Sequence, residues 1–243
     1  METLRIAGDP SRATIVLLHE GLGSVAMWKD FPQRLAERTR CAVVAYSRAG
    51  YGASDPAALP REPEYMHCEA QTVLPELLAA LGIERPVLFG HSDGASIALI
   101  YAGTHPAGAR GLVLEAPHVF VEDLTVRSIA AAKDAWTLTA LRERLARYHT
   151  DVDAAFRGWN DIWLDPRFRH WNIEEYADRV RVPVLVVQGE ADEYGTLAQV
   201  ESITSRVACA ETMLVPGAGH SPHRDAPDAV LDRVAAFVET LPA

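Results

Sequence analysis

Short, nearly continuous apolar runs recur along the chain, and stretches with helical spacing of apolar residues lie between them. The runs cover residues 14–19, 41–46, 86–91, 111–115, 183–188 and 212–215. Runs of this kind are typical of strands that helices cover on both faces, and their alternation with helices is typical of parallel βαβ units. The pattern therefore predicts an α/β fold with a mostly parallel sheet flanked by helices.

The clearest helical stretches are residues 66–81 and 226–240, where leucines, valines and a phenylalanine return at helical spacing. Pro75 falls inside the first stretch. Because proline lacks the N–H that a helix interior needs, it predicts a kink or a new helix start there. A shorter helix of small residues is expected over 95–102.

One segment, residues 117–178, interrupts the alternation. It holds four of the five tryptophans, and its pattern is helical over 129–136 and 138–148 with no strand-like run. We therefore predict a helical cap over 117–178, inserted between two strands of a core made of residues 1–116 and 179–243.

The aromatic content of this segment suggests a binding role, because an apolar pocket would form between such a cap and the sheet. Trp136, Trp159 and Trp163 are accordingly candidate substrate-binding residues. For each of them, packing of the cap onto the core is the alternative.

Composition and charge exclude several classes of protein. The 243 residues are 49% hydrophobic, which is enough for the core of one soluble globular domain and excludes disorder. No apolar run approaches the roughly 20 residues of a membrane span. The first ten residues lack the apolar stretch of a secretory signal, so we expect a cytoplasmic protein.

The net charge of −10 disfavours nucleic acid and anionic membranes as partners, because both are negatively charged. Cys41, Cys68 and Cys209 are far apart, and no histidine pair has metal-ligand spacing. The chain is thus expected to have no disulfide framework, no metal and no cofactor. Its oligomeric state is not predicted.

Residues 90–94 read Gly-His-Ser-Asp-Gly and fit the pattern G-x-S-x-G. The match follows a predicted strand and precedes a predicted helix, which is the context that a strained turn carrying an exposed nucleophile requires. Glycines are needed where such a turn crowds the strand and helix beside it. Ser92 is therefore the candidate nucleophile.

A serine hydroxyl needs a base to take its proton and a third group to orient that base. Asp192 and His220 both follow predicted strands directly, at the sheet edge where Ser92 also lies. Glu190, Glu193 and His223 are rivals close to them in the chain. We favour Asp192 and His220 because each stands where a loop after a strand would direct a side chain across the sheet.

Acyl transfer also needs an oxyanion hole, which is a pair of backbone N–H groups directed at the developing negative charge. The N–H of Asp93, the residue after the candidate nucleophile, would be one donor. The loop of residues 19–24 after the first predicted strand would supply the other.

Together these motifs resemble the α/β-hydrolase superfamily over essentially the whole chain, and most closely small bacterial serine hydrolases of esters, enol-lactones and ring-cleavage products. The resemblance implies that Ser92 is the nucleophile, His220 the general base and then acid, and Asp192 its orienting carboxylate. It also implies that residues 117–178 form the cap.

The sequence departs from the family pattern in two places. Where the family has His-Gly after the first of these strands, this chain has His19-Glu20, which leaves the second oxyanion donor open between Gly21 and Leu22. Glu20 is also a candidate substrate-binding residue for a polar or cationic group, with a hydrogen bond to loop backbone as the alternative. The turn at residues 47–54 differs from its family counterpart at two positions and is taken as structural.

The resemblance implies hydrolysis of a small carboxylic ester or lactone, with an apolar or aromatic group, through an acyl-enzyme. A thioesterase or a C–C bond hydrolase would use the same three residues and is an open alternative. A non-hydrolytic ligand-binding protein or a cofactor-free oxygenase on the same scaffold is another.

Overall fold

Seven strands form one sheet in the computed structural model, which describes residues 1–242. The strands are β1 (Thr3–Ile6), β2 (Ile15–Leu18), β3 (Val43–Tyr46), β4 (Val87–His91), β5 (Gly111–Glu115), β6 (Val184–Gly189) and β7 (Ala210–Val215). Their order across the sheet is β1-β3-β2-β4-β5-β6-β7. β1 pairs antiparallel with β3, and the other neighbouring pairs are parallel. The predicted α/β fold with a mostly parallel sheet is confirmed.

Helices connect these strands and cover the sheet. They are α1 (Phe31–Thr39), α2 (Tyr65–Cys68), α3 (Leu74–Leu81), α4 (Asp93–Thr104), α5 (Asp123–Leu138), α6 (Leu141–Leu145), α7 (Val152–Trp163), α8 (Glu174–Ala177), α9 (Leu197–Arg206), α10 (Pro222–Asp225) and α11 (Pro227–Glu239). Short 3₁₀ turns occur at Val25–Trp28 and Pro166–His170.

The side chains of the central strands alternate between two hydrophobic cores. In β2, Ile15 and Leu17 join the core that α1 and α11 complete on one face of the sheet. Val16 and Leu18 join the core on the other face, which includes α3 and α4. Burial on both faces explains why the central strands read as continuous apolar runs.

Pro75 marks a break in the helical stretch that contains it, as its position predicts. α2 passes into a π-helical turn, Glu69–Val73, and α3 then begins one residue before Pro75. A proline in this position cannot donate to the preceding turn, so the wider π turn accommodates it.

Sequence reasoning missed β1. This strand lies at the edge of the sheet and is four residues long, with half-buried residues alternating with exposed ones. A single short alternation of this kind carries too little signal to be separated from a polar terminus.

Four helices, α5 to α8, lie between β5 and β6, and residues 117–178 contribute no strand to the described sheet. α8 packs on α4 and α9, while α5, α6 and α7 pack on one another. None of the helices within residues 1–242 has the length and hydropathy of a membrane span.

Candidate active site

Ser92 stands on the turn between β4 and α4, with φ 54° and ψ −116°. This backbone conformation is strained for a residue that carries a side chain. Two glycines make room for the turn: a Cβ on Gly90 would overlap the Gly94 carbonyl, and one on Gly94 would overlap the Leu18 carbonyl. The turn brings Ser92 to the wall of a cavity at the carboxyl ends of the strands.

His220, in the loop after β7, lies between Ser92 and Asp192. Its Nε2 is 2.9 Å from Ser92 Oγ, and its Nδ1 is 2.9 Å from both carboxylate oxygens of Asp192. Because a carboxylate only accepts hydrogen bonds, Nδ1 carries the proton, and in the neutral ring Nε2 is free to accept the Ser92 proton.

Asp192, in the loop after β6, is fixed by three further donors. The N–H groups of Tyr194 and Gly195 donate to Oδ1 at 2.7 and 3.1 Å, and the Gln188 carboxamide donates to Oδ2 at 2.7 Å. Burial would raise the pKa of the Asp192 carboxyl, but His220 and the Tyr194 N–H outweigh burial and lower it below its usual range. Asp192 is therefore an anion with little freedom to turn.

The rival residues occupy other positions. Glu193 Oε2 accepts the backbone N–H of His220 at 3.1 Å, so it holds the loop rather than the ring. His223 points into the protein, where its Nδ1 lies 2.7 Å from Glu115. Glu190 is exposed on the surface.

The candidate oxyanion donors border the same cavity as Ser92. Asp93 begins α4, so its N–H has no acceptor within the helix. Gly21 and Leu22 both line the cavity from the loop after β2. A Cβ on Gly21 would overlap the Trp159 ring, so glycine is needed for this close contact.

Arg48, which sequence reasoning treated as part of a structural turn, anchors this loop. Its guanidinium donates to the carbonyls of His19 at 2.5 Å and Glu20 at 3.0 Å, and it lies 3.7 Å from the Asp93 carboxylate. Arg48 is 1% exposed. A buried cation thus links the loop after β2 to the first residue of α4, the two segments that carry the candidate oxyanion donors.

The cavity has a volume of about 250 Å³. Part of its wall is apolar, and Trp159 and Trp163 of α7 belong to that part. The other apolar side chains that line it are Leu22, Met27, Ile129 and Leu145. Trp163 also donates from Nε1 to the Asp93 carboxylate at 3.3 Å.

Trp136, the third tryptophan predicted as a substrate-binding candidate, is not among the residues that line this cavity. Its ring stacks on Phe156 with a centroid separation of 4.0 Å. Trp136 therefore packs α5 against α7. The sequence pattern could not separate it from Trp159 and Trp163, because all three are tryptophans on helices of the same segment.

Sequence reasoning also missed His118, which lines the cavity from the loop after β5. Its ring centroid lies 5.6 Å from that of His220 and 5.1 Å from that of Trp163. Burial, together with the nearby His220, lowers the pKa of His118 to about 3, so its ring is neutral. Its place just after a strand, the criterion that selected Asp192 and His220, would have found it.

His91, Glu115 and His223 have ligand atoms within 4.8 Å of one another, a spacing that would suit a metal ion. However, both oxygens of Glu115 already accept hydrogen bonds from His223, at 2.6 Å from its N–H and 2.7 Å from Nδ1. We therefore interpret the cluster as a buried hydrogen-bonded group and assign it no metal.

One known protein family matches most of the chain. The model of a family described as "Alpha/beta hydrolase family" matches residues 15–233. The chain belongs to the alpha/beta hydrolase family. The predicted resemblance to this superfamily is confirmed.

The individual relatives described next have low sequence identity to this chain. A 2-succinyl-6-hydroxy-2,4-cyclohexadiene-1-carboxylate synthase of Enterobacter sp. is 28% identical, over 92% of this chain and 91% of its own length. A solved 2-hydroxy-6-oxo-6-phenylhexa-2,4-dienoate hydrolase from Rhodococcus sp. is 19% identical with a TM-score of 0.79, covering 96% of this chain and 92% of that one.

An enol-lactonase structure from Burkholderia xenovorans is 21% identical with a TM-score of 0.75, covering 98% of this chain and 96% of that one. At these identities the two structures support the fold alone. The relatives of this chain are therefore named after different activities.

Proposed function

We propose that this protein is a serine hydrolase that cleaves a small carboxylic ester or lactone through an acyl-enzyme. The chief support is the continuous chain of contacts from Ser92 Oγ through His220 to Asp192, with 2.9 Å at each step, at the wall of a cavity. This arrangement has the geometry that activates a serine hydroxyl.

In the proposed reaction, Ser92 Oγ attacks the substrate carbonyl carbon while its proton passes to His220 Nε2. The tetrahedral oxyanion is held by the Asp93 N–H and by the N–H of Gly21 or Leu22, and each such donor contributes about 3 kcal/mol. His220 then gives its proton to the leaving oxygen, and the acyl group remains on Ser92. A water deprotonated by His220 then attacks this ester, the bond between Ser92 Oγ and the acyl carbon breaks, and His220 returns the proton to Oγ as the acid leaves.

Asp192 would keep the His220 proton on Nδ1 and stabilise the imidazolium that forms during the reaction. Its own role depends on staying ionised, and the lowered pKa of its carboxyl supports this. Because Gln188, Tyr194 and Gly195 all donate to it, it is also held in a fixed orientation for His220.

The proposed substrate is small and partly apolar. The cavity of about 250 Å³ is below the usual range of roughly 300–1,000 Å³ for ligand sites, which favours a compact acyl or alcohol group. Trp159 and Trp163 are the proposed contacts for its apolar part, and residues 117–178 the proposed cap.

The leading test is hydrolysis of short-chain p-nitrophenyl esters by wild type and Ser92→Ala. We expect the variant to lose at least about 10⁴-fold in kcat. Ser205→Ala, an exposed serine on α9, is the matched control and should behave as wild type. Activity of purified Ser92→Ala close to that of wild type would contradict the proposal.

A panel of substrates tests which type of bond the protein cleaves. Aryl esters, lactones, acyl thioesters and a vinylogous diketone should be compared by kcat/KM, with the highest values expected for a small ester or lactone. Preference for the thioester or the diketone would replace the proposed substrate class with a thioesterase or C–C bond hydrolase. Binding without turnover of any of them would favour a non-hydrolytic role, and one relative is indeed named a synthase.

A further inference from the structure

His91, the last residue of β4, connects two loops on either side of Ser92. Its ring is almost fully buried. Nδ1 lies 3.6 Å from Glu20 Oε2, and Nε2 lies 2.7 Å from the backbone carbonyl oxygen of His220. One imidazole thus contacts both the loop after β2, where a proposed oxyanion donor lies, and the loop that carries the proposed base.

Glu20 can reach His91 because Gly23 lies beside it. A Cβ on residue 23 would overlap the Glu20 carboxylate, so any other residue would displace it. The Glu20 backbone is also fixed, since its carbonyl accepts from Gly23 N–H at 3.1 Å and from Arg48 at 3.0 Å. Glu20 also lines the cavity, and its side chain is 21% exposed, but these contacts hold it within the loop.

The charges around His91 favour its protonated form. Glu20 faces it from the loop after β2, Glu115 faces it from β5, and the rings of His118, His220 and His223 approach from the segments after β5 and β7. Burial would lower the pKa of His91, but the two carboxylates outweigh burial and raise it to about 9. The Glu20 pKa is correspondingly lowered well below its usual range.

We infer that Glu20 and His91 are positioning residues, which together join the loop of Gly21 and Leu22 to the backbone of His220 and so set the oxyanion donor and the base relative to Ser92. This inference rests on the proposed function, because it assigns both loops their part in hydrolysis. Glu20 then acts within the protein, and a cationic substrate group is not its partner.

Loss of the His91 proton has a definite consequence. A neutral His91 can still donate from Nε2 to the His220 carbonyl, but its Nδ1 no longer attracts Glu20. The half-buried Glu20 carboxylate is then without a cationic partner, and the loop of Gly21 and Leu22 relaxes. We therefore expect kcat to fall about tenfold as His91 deprotonates, with a smaller change in KM, since the effect falls on transition-state stabilisation.

The test compares wild type with Glu20→Gln in kcat and KM between about pH 6 and pH 10. Wild type should show a fall in kcat centred near pH 9. Glu20→Gln should have a lower kcat at neutral pH and should lack that fall. Glu84→Gln, an exposed glutamate before the opposite end of β4, is the matched control and should keep the wild-type profile.

A second measurement does not depend on turnover. The His91 ring can be titrated by ¹⁵N NMR, with its signal assigned by its loss in His91→Gln. We expect a titration near pH 9 in wild type and one at least about one pH unit lower in Glu20→Gln. Equal His91 titrations, identical pH profiles, or a rise in KM confined to cationic esters would each overturn the inference.

The two measurements separate the possible failures. If wild type hydrolyses no substrate, the proposed function fails, while the NMR titration still decides whether Glu20 and His91 interact. If wild type is active and Glu20→Gln matches it in both measurements, the inference alone fails.

Discussion

Two histidine–carboxylate pairs lie side by side in this protein, and they differ in what the far side of the ring contacts. His220 and Asp192 are 2.9 Å apart, and His223 and Glu115 are 2.7 Å apart. The His220 ring reaches Ser92 and is 13% exposed, whereas the His223 ring packs against Trp28 and Phe31 and is 5% exposed. The same pair of residue types thus borders a cavity beside Ser92 in one place and lies in the protein interior in the other.

The difference shows that contact with a nucleophile and a cavity, rather than the pair itself, distinguishes a candidate base. Both histidines lie in the segment after β7, three residues apart. His220 is in the loop itself, while His223 is in the short helix α10 and is turned towards β5. A change of backbone direction over these residues therefore separates the two environments.

Leucine substitution should lower activity at position 220 and stability at position 223. His220→Leu removes the proposed base, and we expect kcat/KM to fall by at least about 10⁴-fold with the fold retained. Ester hydrolysis together with circular dichroism measures this. Substantial activity in pure His220→Leu would break the distinction between the pairs.

His223→Leu should act mainly on stability. It leaves the buried Glu115 carboxylate without its imidazole partner, and we expect the free energy of unfolding to fall by about 3 kcal/mol. Urea denaturation of the variant and wild type measures the loss. The double variant Glu115→Leu/His223→Leu removes both polar groups and should recover part of that loss, and a further loss in the double variant would contradict this account.

The smallest expected effect is the pH dependence of the stability that the buried pair of Glu115 and His223 contributes. Burial would raise the pKa of Glu115, but the charge and hydrogen bonds of His223 lower it below its ordinary value of 4.5. The resulting stabilisation is present above about pH 4.5 and is lost as the pH falls through the lower folded-state pKa. The difference in unfolding free energy between wild type and Glu115→Gln should therefore shrink in acid, and a difference that grows in acid would contradict the assignment.

Sequence patterns predicted the fold well where burial dictated the residue types. The strands β2 to β6 are buried on both faces, so their apolar runs were readable, and the glycines around Ser92 marked the strained turn. β1 was missed because an edge strand of four residues needs only one buried face.

Supporting groups in the site were harder to predict, because their partners are distant in sequence. Arg48 lies in a turn that was taken as structural, and Gln188 belongs to no motif. Both acquire a role only when the fold brings them to the loop of Glu20 and to Asp192. Trp136 and Trp159 are both tryptophans of the segment 117–178. Only the packing of α5 against α7 shows that Trp159 lines the cavity and that Trp136 stacks on Phe156.

The central claim is that His220 activates Ser92 as a nucleophile, and covalent labelling tests it most directly. Wild type treated with a fluorophosphonate should gain one adduct per chain, located on Ser92 by peptide mass spectrometry, and His220→Leu should label far more slowly. No adduct on wild type, or an adduct on another residue that Ser92→Ala still forms, would contradict the account.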